Sequence, residues 1–263
     1  MKTIIKKLIP HSIIKTYRRY RKRSKKRKEI KFYAGDNVVC PICKSTFRKF
    51  APHGLSKREN ARCPNCNSVE RHRLVWKYLN DKTDLFKGAG KIKLLHFAPE
   101  YGFYAVFSKD KRIEEYVPCD IFPEYYDFGK IKAIKVDITD IPFGDNYFDV
   151  ILCNDVLEHI PDDAKAMAEL YRVMKKGGFG IFQVPIDYNR ETTYEDFTIT
   201  TLEGREKAFG QKDHVRWYGR DYKDRLAKAG FDVTEDDYVN SFSAEELHGF
   251  GILASKMVYY CKK

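Results

Sequence analysis

No stretch of these 263 residues approaches the ~20 consecutive apolar residues that a membrane-spanning helix needs. The N-terminus also lacks a secretory apolar core and a small-residue cleavage site. Spanning and export are therefore not expected, and the cytoplasm is the expected compartment. Cysteine is too sparse and too unevenly placed for a disulfide framework: there are seven, an odd number, and four stand in paired CxxC spacing. That pattern fits metal ligation in a reducing compartment. Most of the chain also lacks any excess of positive charge, although the net charge is +12. Residues 1–31 hold fourteen Lys and Arg against the single acid Glu29, which leaves 35 bases and 36 acids for the remainder. The folded part is close to neutral, so the charge does not mark it as a surface that tracks a phosphate backbone. The length suits one full core plus a small accessory module.

The basic segment has two parts. MKTIIKKLIPHSIIKTYRRY sets Ile4, Ile5, Leu8, Ile9, Ile13, Ile14, Tyr17 and Tyr20 among bases, and Pro10 can end one short helix and start another. RKRSKKRKEIK is then almost continuous positive charge. An apolar stripe beside Lys and Arg suits an interfacial helix on an anionic membrane surface, with the protein peripheral at its inner face. A solvated basic arm and an RNA-binding arm are the alternatives. The isoleucines favour lipid, because an arm that binds only phosphate has no use for them.

Cys40-Pro41-Ile42-Cys43 and Cys63-Pro64-Asn65-Cys66 are separated by nineteen residues. Each CxxC turns two thiolates toward one ion, and four thiolates close a tetrahedral zinc shell with no open position, which makes the expected zinc structural. Two disulfides or a redox pair are the competing readings. His53 and His72 are spare donors, read as ordinary surface or packing residues. In SVERHRLVWKYLND, Val69, Leu74, Val75, Tyr78 and Leu79 recur at helical spacing, so a helix is expected to link this module to the rest of the chain.

Residues 137–185 carry the strongest organisation. Asp137 ends one strand, and a turn with Pro142 and Gly144-Asp145-Asn146 leads into the apolar run Phe148–Cys153. A helix is expected to open at Pro161-Asp162-Asp163, with Ala166, Met167, Leu170, Val173 and Met174 forming one stripe. Lys175-Lys176 suit its C-terminal end, and Gly177 its left-handed cap. A second apolar run, Phe179–Val184, comes next. Strand–helix–strand in this order predicts a parallel sheet with a right-handed crossover. The whole string resembles the second half of class I S-adenosylmethionine-dependent methyltransferases, close to the type 11 group. The resemblance spans about residues 90–263. It implies an α/β fold with a doubly wound, mostly parallel seven-stranded sheet, whose last strand runs antiparallel. The expected division is a basic tail (1–31), a zinc-ribbon-like module with its linking helix (32–85) and a methyltransferase domain (90–263).

The resemblance implies S-adenosylmethionine as cofactor, held at the carboxyl ends of the first four strands. Where the family usually has a GxGxG turn, this chain has Ala98-Pro99-Glu100-Tyr101-Gly102, keeping only the last glycine, and His96 stands where an acid is common. The cofactor has no pyrophosphate, so a close anion cradle is not required. Glu100 offers its α-ammonium group a carboxylate. Asp120, ending the strand in EEYVPCDIF, can accept both ribose hydroxyls. By resemblance Asp137 receives the adenine amino group, Ile138 flanks the ring, and Asn154 lies beside the methionine portion. A solvated turn residue (Glu100) and a turn cap (Asp137) are the plain alternatives.

The segment from Tyr188 to Tyr222 is too long for an ordinary connection, and such loops usually bind something or cover a site. His214 beside Asp213 is the candidate general base for a hydroxyl acceptor; a purely organising role is equally open. His159, after Glu158, is read as structural. The expected function is methyl transfer to a sugar or lipid-linked glycan intermediate. An RNA base methyltransferase gripping RNA through module and tail, and a non-catalytic scaffold without cofactor, are the competing readings.

Overall fold

The computed structural model describes residues 11–54, 56–88, 90–126 and 131–263. Ile4, Ile5, Leu8 and Ile9 lie outside the described residues. Among the described residues, no helix is long and apolar enough to cross a membrane. The basic segment enters as one helix, α1 (His11–Phe32), which starts just after Pro10. Its end is docked: Ile30 and Tyr33 pack on the core, Glu29 pairs with Arg62, and the Lys26 ammonium lies 5.4 Å from the Tyr101 ring centre.

Two short hairpins come next, β1 (Val38–Val39) with β2 (Thr46–Phe47), and β3 (Ala51–His53) with β4 (Arg58–Arg62). Helix α2 (Glu70–Asp81) then buries Leu74, Val75, Tyr78 and Leu79 of the expected stripe, and Trp76 besides, while Val69 is its N-cap. The chain continues through β5 (Ile92–Phe97), α3 (Tyr101–Phe107), β6 (Ile113–Asp120), β7 (Ile134–Lys135), β8 (Phe148–Asn154), α4 (Asp163–Val173) and β9 (Met174–Gln183). After these lie β10 (Tyr194–Glu195), α5 (Leu202–Phe209), β11 (Arg216–Trp217), α6 (Tyr222–Lys228), β12 (Asp232–Asp236), α7 (Ala244–Phe250) and β13 (Val258–Lys262).

Seven strands form the sheet in the order β12-β13-β9-β8-β5-β6-β7. Strands β7, β6, β5, β8 and β9 are mutually parallel, and β13 is antiparallel to both of its neighbours. This is the expected doubly wound architecture. The chain starts in the middle at β5, builds outward to β7, then returns to β8 on the other side. The carboxyl ends of β5 and β8 therefore flank the switch point at which such sheets bind ligands. All of β8 except Asp149 is buried, as required of a strand covered on both faces.

One face of the sheet is covered by α4 and α6. On the other face Leu94, Val150, Leu152 and Ile181 share a single core with α2, α3 and the cysteine module, including Ile42, Cys63 and Cys66. The module thus takes part in covering the sheet.

Helix α4 departs from expectation at its end. Asp162 caps it as foreseen, accepting from the Lys165 amide at 3.0 Å. It stops at Val173, four residues before the expected glycine cap. Met174 already pairs with Phe148, so Lys175 and Lys176 lie in β9. Lys175 pairs with the Asp149 carboxylate at 2.8 Å, and Gly177 (φ 78°) donates its amide to the Lys263 carbonyl. Tertiary strand pairing overrides the local cap signal there.

Candidate functional site

The two CxxC turns are built alike. The Cys40 amide donates to the Ser45 carbonyl and the Cys63 amide to that of Ser68. Lys44 (φ 58°) and Asn67 (φ 61°), each just after the second cysteine, take the left-handed conformation that tightens the turn. The four sulfurs all lie within 4.8 Å of one another, with Cys40 to Cys66 at 3.6 Å and Cys43 to Cys63 at 3.7 Å. Sulfurs on one zinc at ~2.3 Å stand about 3.8 Å apart in a tetrahedron. The donor set therefore fits a zinc ion, and neither His53 nor His72 joins it.

Zinc with four thiolates carries two negative charges, and a fully buried cation, Arg73, lies beside it. Its guanidinium donates to the carbonyls of Ala61 and Ser68 in the module and to those of Phe250 and Gly251. One side chain thus ties the module to the end of α7. Gly102, expected at the cofactor, has its open side against the module instead: a β-carbon there would stand 3.4 Å from Ile42 and 3.5 Å from the Cys66 sulfur.

Beyond β5 the chain turns sharply, and Ala98 takes a φ of 47°. A glycine would adopt this without strain, which is the physical content of the missing glycine-rich turn. Glu100 comes two residues later, and the turn-residue alternative fails: its carboxylate points inward. One oxygen is 2.6 Å from His96 Nε2, the other accepts from Asn154 Nδ2 at 3.0 Å, and His72 Nε2 lies 3.6 Å away. Tyr116 lies 2.8 Å from His96 Nδ1. Burial pushes the tyrosine's pKa well up, so it keeps its proton, and because the Glu100 carboxylate only accepts, His96 presents Nε2–H to it. Burial likewise drives His72 down to about 4, leaving it neutral at pH 7. At Glu100 burial favours the neutral acid, but His72 and His96 outweigh it and hold the pKa at about 2. The result is a buried carboxylate that among the described residues pairs with no Lys or Arg. Beside it, Asn154 Oδ1 is a buried acceptor without a partner among those residues. A carboxylate and an open carbonyl oxygen side by side fit a cationic donor such as an α-ammonium group. Sequence reading missed His72 and His96 because their partner is reached only through the fold.

A cavity of about 350 Å³ opens at the ends of β5, β6 and the segment after β7. Phe97, Val136, Ile138, Val156 and Ile160 give it apolar walls, and Asp120, Asp137 and Asp162 reach it. Asp120 accepts from the Phe122 amide and the Tyr126 hydroxyl, both at 2.8 Å, and each oxygen keeps a further lone pair. Asp137 uses Oδ1 on the Thr139 amide and hydroxyl, as a turn residue would. The apolar walls and carboxylates fit a nucleoside.

Asp155 (φ 53°) lines a second cavity of about 520 Å³, while the next residue, Val156, lines the first. The second is polar, with Asp155, Glu158, His159, Gln183, Tyr188 and Lys256 among its walls. Arg71 pairs with Asp155 at 2.5 Å. The long segment before α6 covers this end of the sheet as a small folded unit: β10 pairs with β11, and α5 lies between them. Arg216, fully buried, fastens it. It pairs with Glu195 at 2.9 Å and donates to the carbonyls of Leu157, Ile160 and Pro161.

The expected Asp213–His214 pair is not formed. Among the described residues no hydrogen bond or ion pair joins the two side chains. His214 is buried and its Nδ1 lies 3.1 Å from the Phe209 carbonyl oxygen, whereas the exposed Asp213 carboxylate lies 3.6 Å from His159. His159, expected to be structural, is instead the ring that faces His214, with centres 4.8 Å apart.

Comparison with known proteins places this geometry. Residues 97–182, about a third of the chain, match the family model described as a methyltransferase domain. The ubiquinone/menaquinone biosynthesis C-methyltransferase UbiE of Francisella philomiragia is 34% identical over 77 residues, which are 28% of this chain and 31% of that protein. Its namesake in Psychromonas ingrahamii is 38% identical over 50 residues, 19% of this chain and 20% of that one. The matched region thus spans under a third of the length of these curated relatives. Among solved structures, a SAM-dependent methyltransferase from Archaeoglobus fulgidus has 18% identity and a TM-score of 0.46, over 75% of this chain and 96% of that one. A complex of the Haloferax volcanii Trm112 methyltransferase activator with a putative methyltransferase gives 16% and 0.46, over 73% and 92%.

Proposed function

We propose that the chain is an S-adenosylmethionine-dependent methyltransferase whose acceptor is a sugar or lipid-linked glycan intermediate. The observation that carries the first half is the paired arrangement at the switch point: an apolar nucleoside-sized cavity with Asp120 at its edge, and, two residues beyond the cavity-lining Ala98, the Glu100 carboxylate, paired only with histidines among the described residues. The family match falls on these same strands. Asp120 would hold the ribose, Ile138 and Val136 the adenine face, and Glu100 with Asn154 the α-ammonium group. When bound, the cofactor supplies an electrophilic methyl carbon on a sulfonium. The chain's own contribution is to hold the acceptor in line with it, and such positioning supplies much of the acceleration in displacement reactions.

The acceptor half rests on the second cavity, whose walls are hydrogen-bonding groups of both signs suited to a polyol. The relatives' names are a poor guide to the acceptor, because the match to the Francisella philomiragia protein covers only 28% of this chain and 31% of that protein. Residues 1–31 would keep the protein at an anionic membrane face, where lipid-linked glycans are built, and the Cys40, Cys43, Cys63, Cys66 zinc would hold the module on the sheet. The test is label transfer from methyl-labelled cofactor into fractionated cell extract. Label in the lipid-linked or free glycan fraction supports the reading. Label in RNA would replace it with the nucleic-acid alternative. No transfer, together with no cofactor binding, would leave a scaffold. For the tail, Ile4, Leu8 and Ile13 changed to Ser should weaken flotation with anionic vesicles at unchanged charge. Unchanged flotation would favour an RNA arm with steep salt dependence.

A further inference from the structure

We propose that Glu158, His159 and His214 form a second metal site, for a divalent first-row transition ion, in the wall of the 520 Å³ cavity. One ligand atom from each lies within 4.8 Å of the others, and Glu158 Oε1 stands 4.0 Å from His159 Nε2. Donors on a shared ion at ~2.1 Å are about 3.4 Å apart, so small side-chain rotations close the set. Two of the three residues also carry an orphan polar atom. Glu158 is 2% exposed and His214 4%, and Glu158 Oε2 and His214 Nε2 find no hydrogen-bond partner among the described residues. Buried polar atoms are rarely left this way, and two within one such cluster call for a partner.

The tautomers agree. His159 Nδ1 lies 3.1 Å from the Asp213 carbonyl oxygen and His214 Nδ1 3.1 Å from that of Phe209. A carbonyl only accepts, so each Nδ1 carries the hydrogen and each Nε2 offers a bare lone pair. Imidazoles that bind metal are held this way. Two imidazoles and one carboxylate suit zinc, manganese or ferrous iron, while calcium and magnesium prefer all-oxygen cages.

The fold assembles the set deliberately. Glu158 and His159 lie in the turn after β8. The Val215 amide bonds the Glu158 carbonyl at 3.0 Å, and Arg216 fastens the same turn, which presses His214 against them. Glu158 and His159 also line the cavity, so an ion there would offer open positions to oxygens of a bound acceptor. That last role rests on the methyltransferase reading; binding of the ion does not.

The test is metal content of the full reduced chain, dialysed against equal concentrations of Mn²⁺, Fe²⁺, Co²⁺, Ni²⁺ and Zn²⁺ and then desalted. We expect two metal equivalents per chain, falling to one in His159→Ala and in Glu158→Gln, with the zinc at the four cysteines retained as proof of folding. Should a variant lose both, the wild type decides. Substoichiometric Mn²⁺ should broaden the imidazole proton signals of His159 and His214 and spare those of His53 and His248. A wild-type total of one equivalent, or broadening that does not single out His159 and His214, overturns the site.

Discussion

The Glu100 carboxylate sits 2.6 Å from His96 Nε2, and no lysine or arginine among the described residues shares it. If that charge meets the cofactor's ammonium, Glu100→Gln removes the attraction while keeping the shape. Charge-assisted hydrogen bonds contribute about 1.5–3 kcal/mol. Cofactor affinity should fall roughly tenfold or more, with the far-ultraviolet spectrum unchanged. Equal affinity in calorimetry would restrict Glu100 to an internal structural role.

The same network sets an acid limit on stability. His72 is held at about 4 by burial, against the ordinary histidine value of 6.5. Between these values the unfolded chain takes up a proton that the folded chain refuses, so stability is complete above pH 6.5 and is lost as pH falls toward 4. At about 1.4 kcal/mol per pH unit this amounts to roughly 3 kcal/mol. Urea midpoints of wild type and His72→Gln should differ in slope across that window, the variant being flatter. Parallel slopes would show that His72 titrates alike in both states.

Zinc removal should be felt by the whole chain, because Cys63, Cys66 and Ile42 share one core with Leu94 and Val150. Structural zinc binding is coupled to folding. Chelation under reducing conditions should lower the single thermal midpoint by about 10 °C or more. An unchanged midpoint in protein shown to be zinc-free would mean the sheet holds without the module.

Arg216 is the buried anchor of the segment over the second cavity. Arg216→Met would take this donor from the carbonyls of Ile160 and Pro161 and leave Glu195 with Arg225 alone, a loss of about 1–3 kcal/mol. Chemical denaturation measures it, and Arg216→Lys should lie between, since one ammonium cannot reproduce the fork. A change below about 1 kcal/mol would remove Arg216 from this role.

The sheet was legible because its signals are local: the runs 148–153 and 179–184 are largely apolar on both faces, and α4 has a capped stripe. The cysteine spacing gave four sulfurs that the fold gathers together. What could not be read depends on long-range packing. Gly177 has the right chemistry for a helix cap but is captured by pairing with Lys263. Asp213 and His214, adjacent in sequence, do not pair with each other; both meet His159, which is far away in sequence. His72 reaches Glu100 only because α2 packs on the sheet, which no spacing announces.

The central claim is tested most directly by calorimetric titration of zinc-replete protein with S-adenosylmethionine, wild type beside Asp120→Ala. Asp120 reaches the nucleoside-sized cavity, and among the described residues its side chain bonds only the Phe122 amide and the Tyr126 hydroxyl. The account expects one site per chain in the wild type and at least tenfold weaker binding in the variant, since a charge-assisted hydrogen-bond partner is lost. No heat of binding to folded wild type, or equal affinity in both, would contradict it.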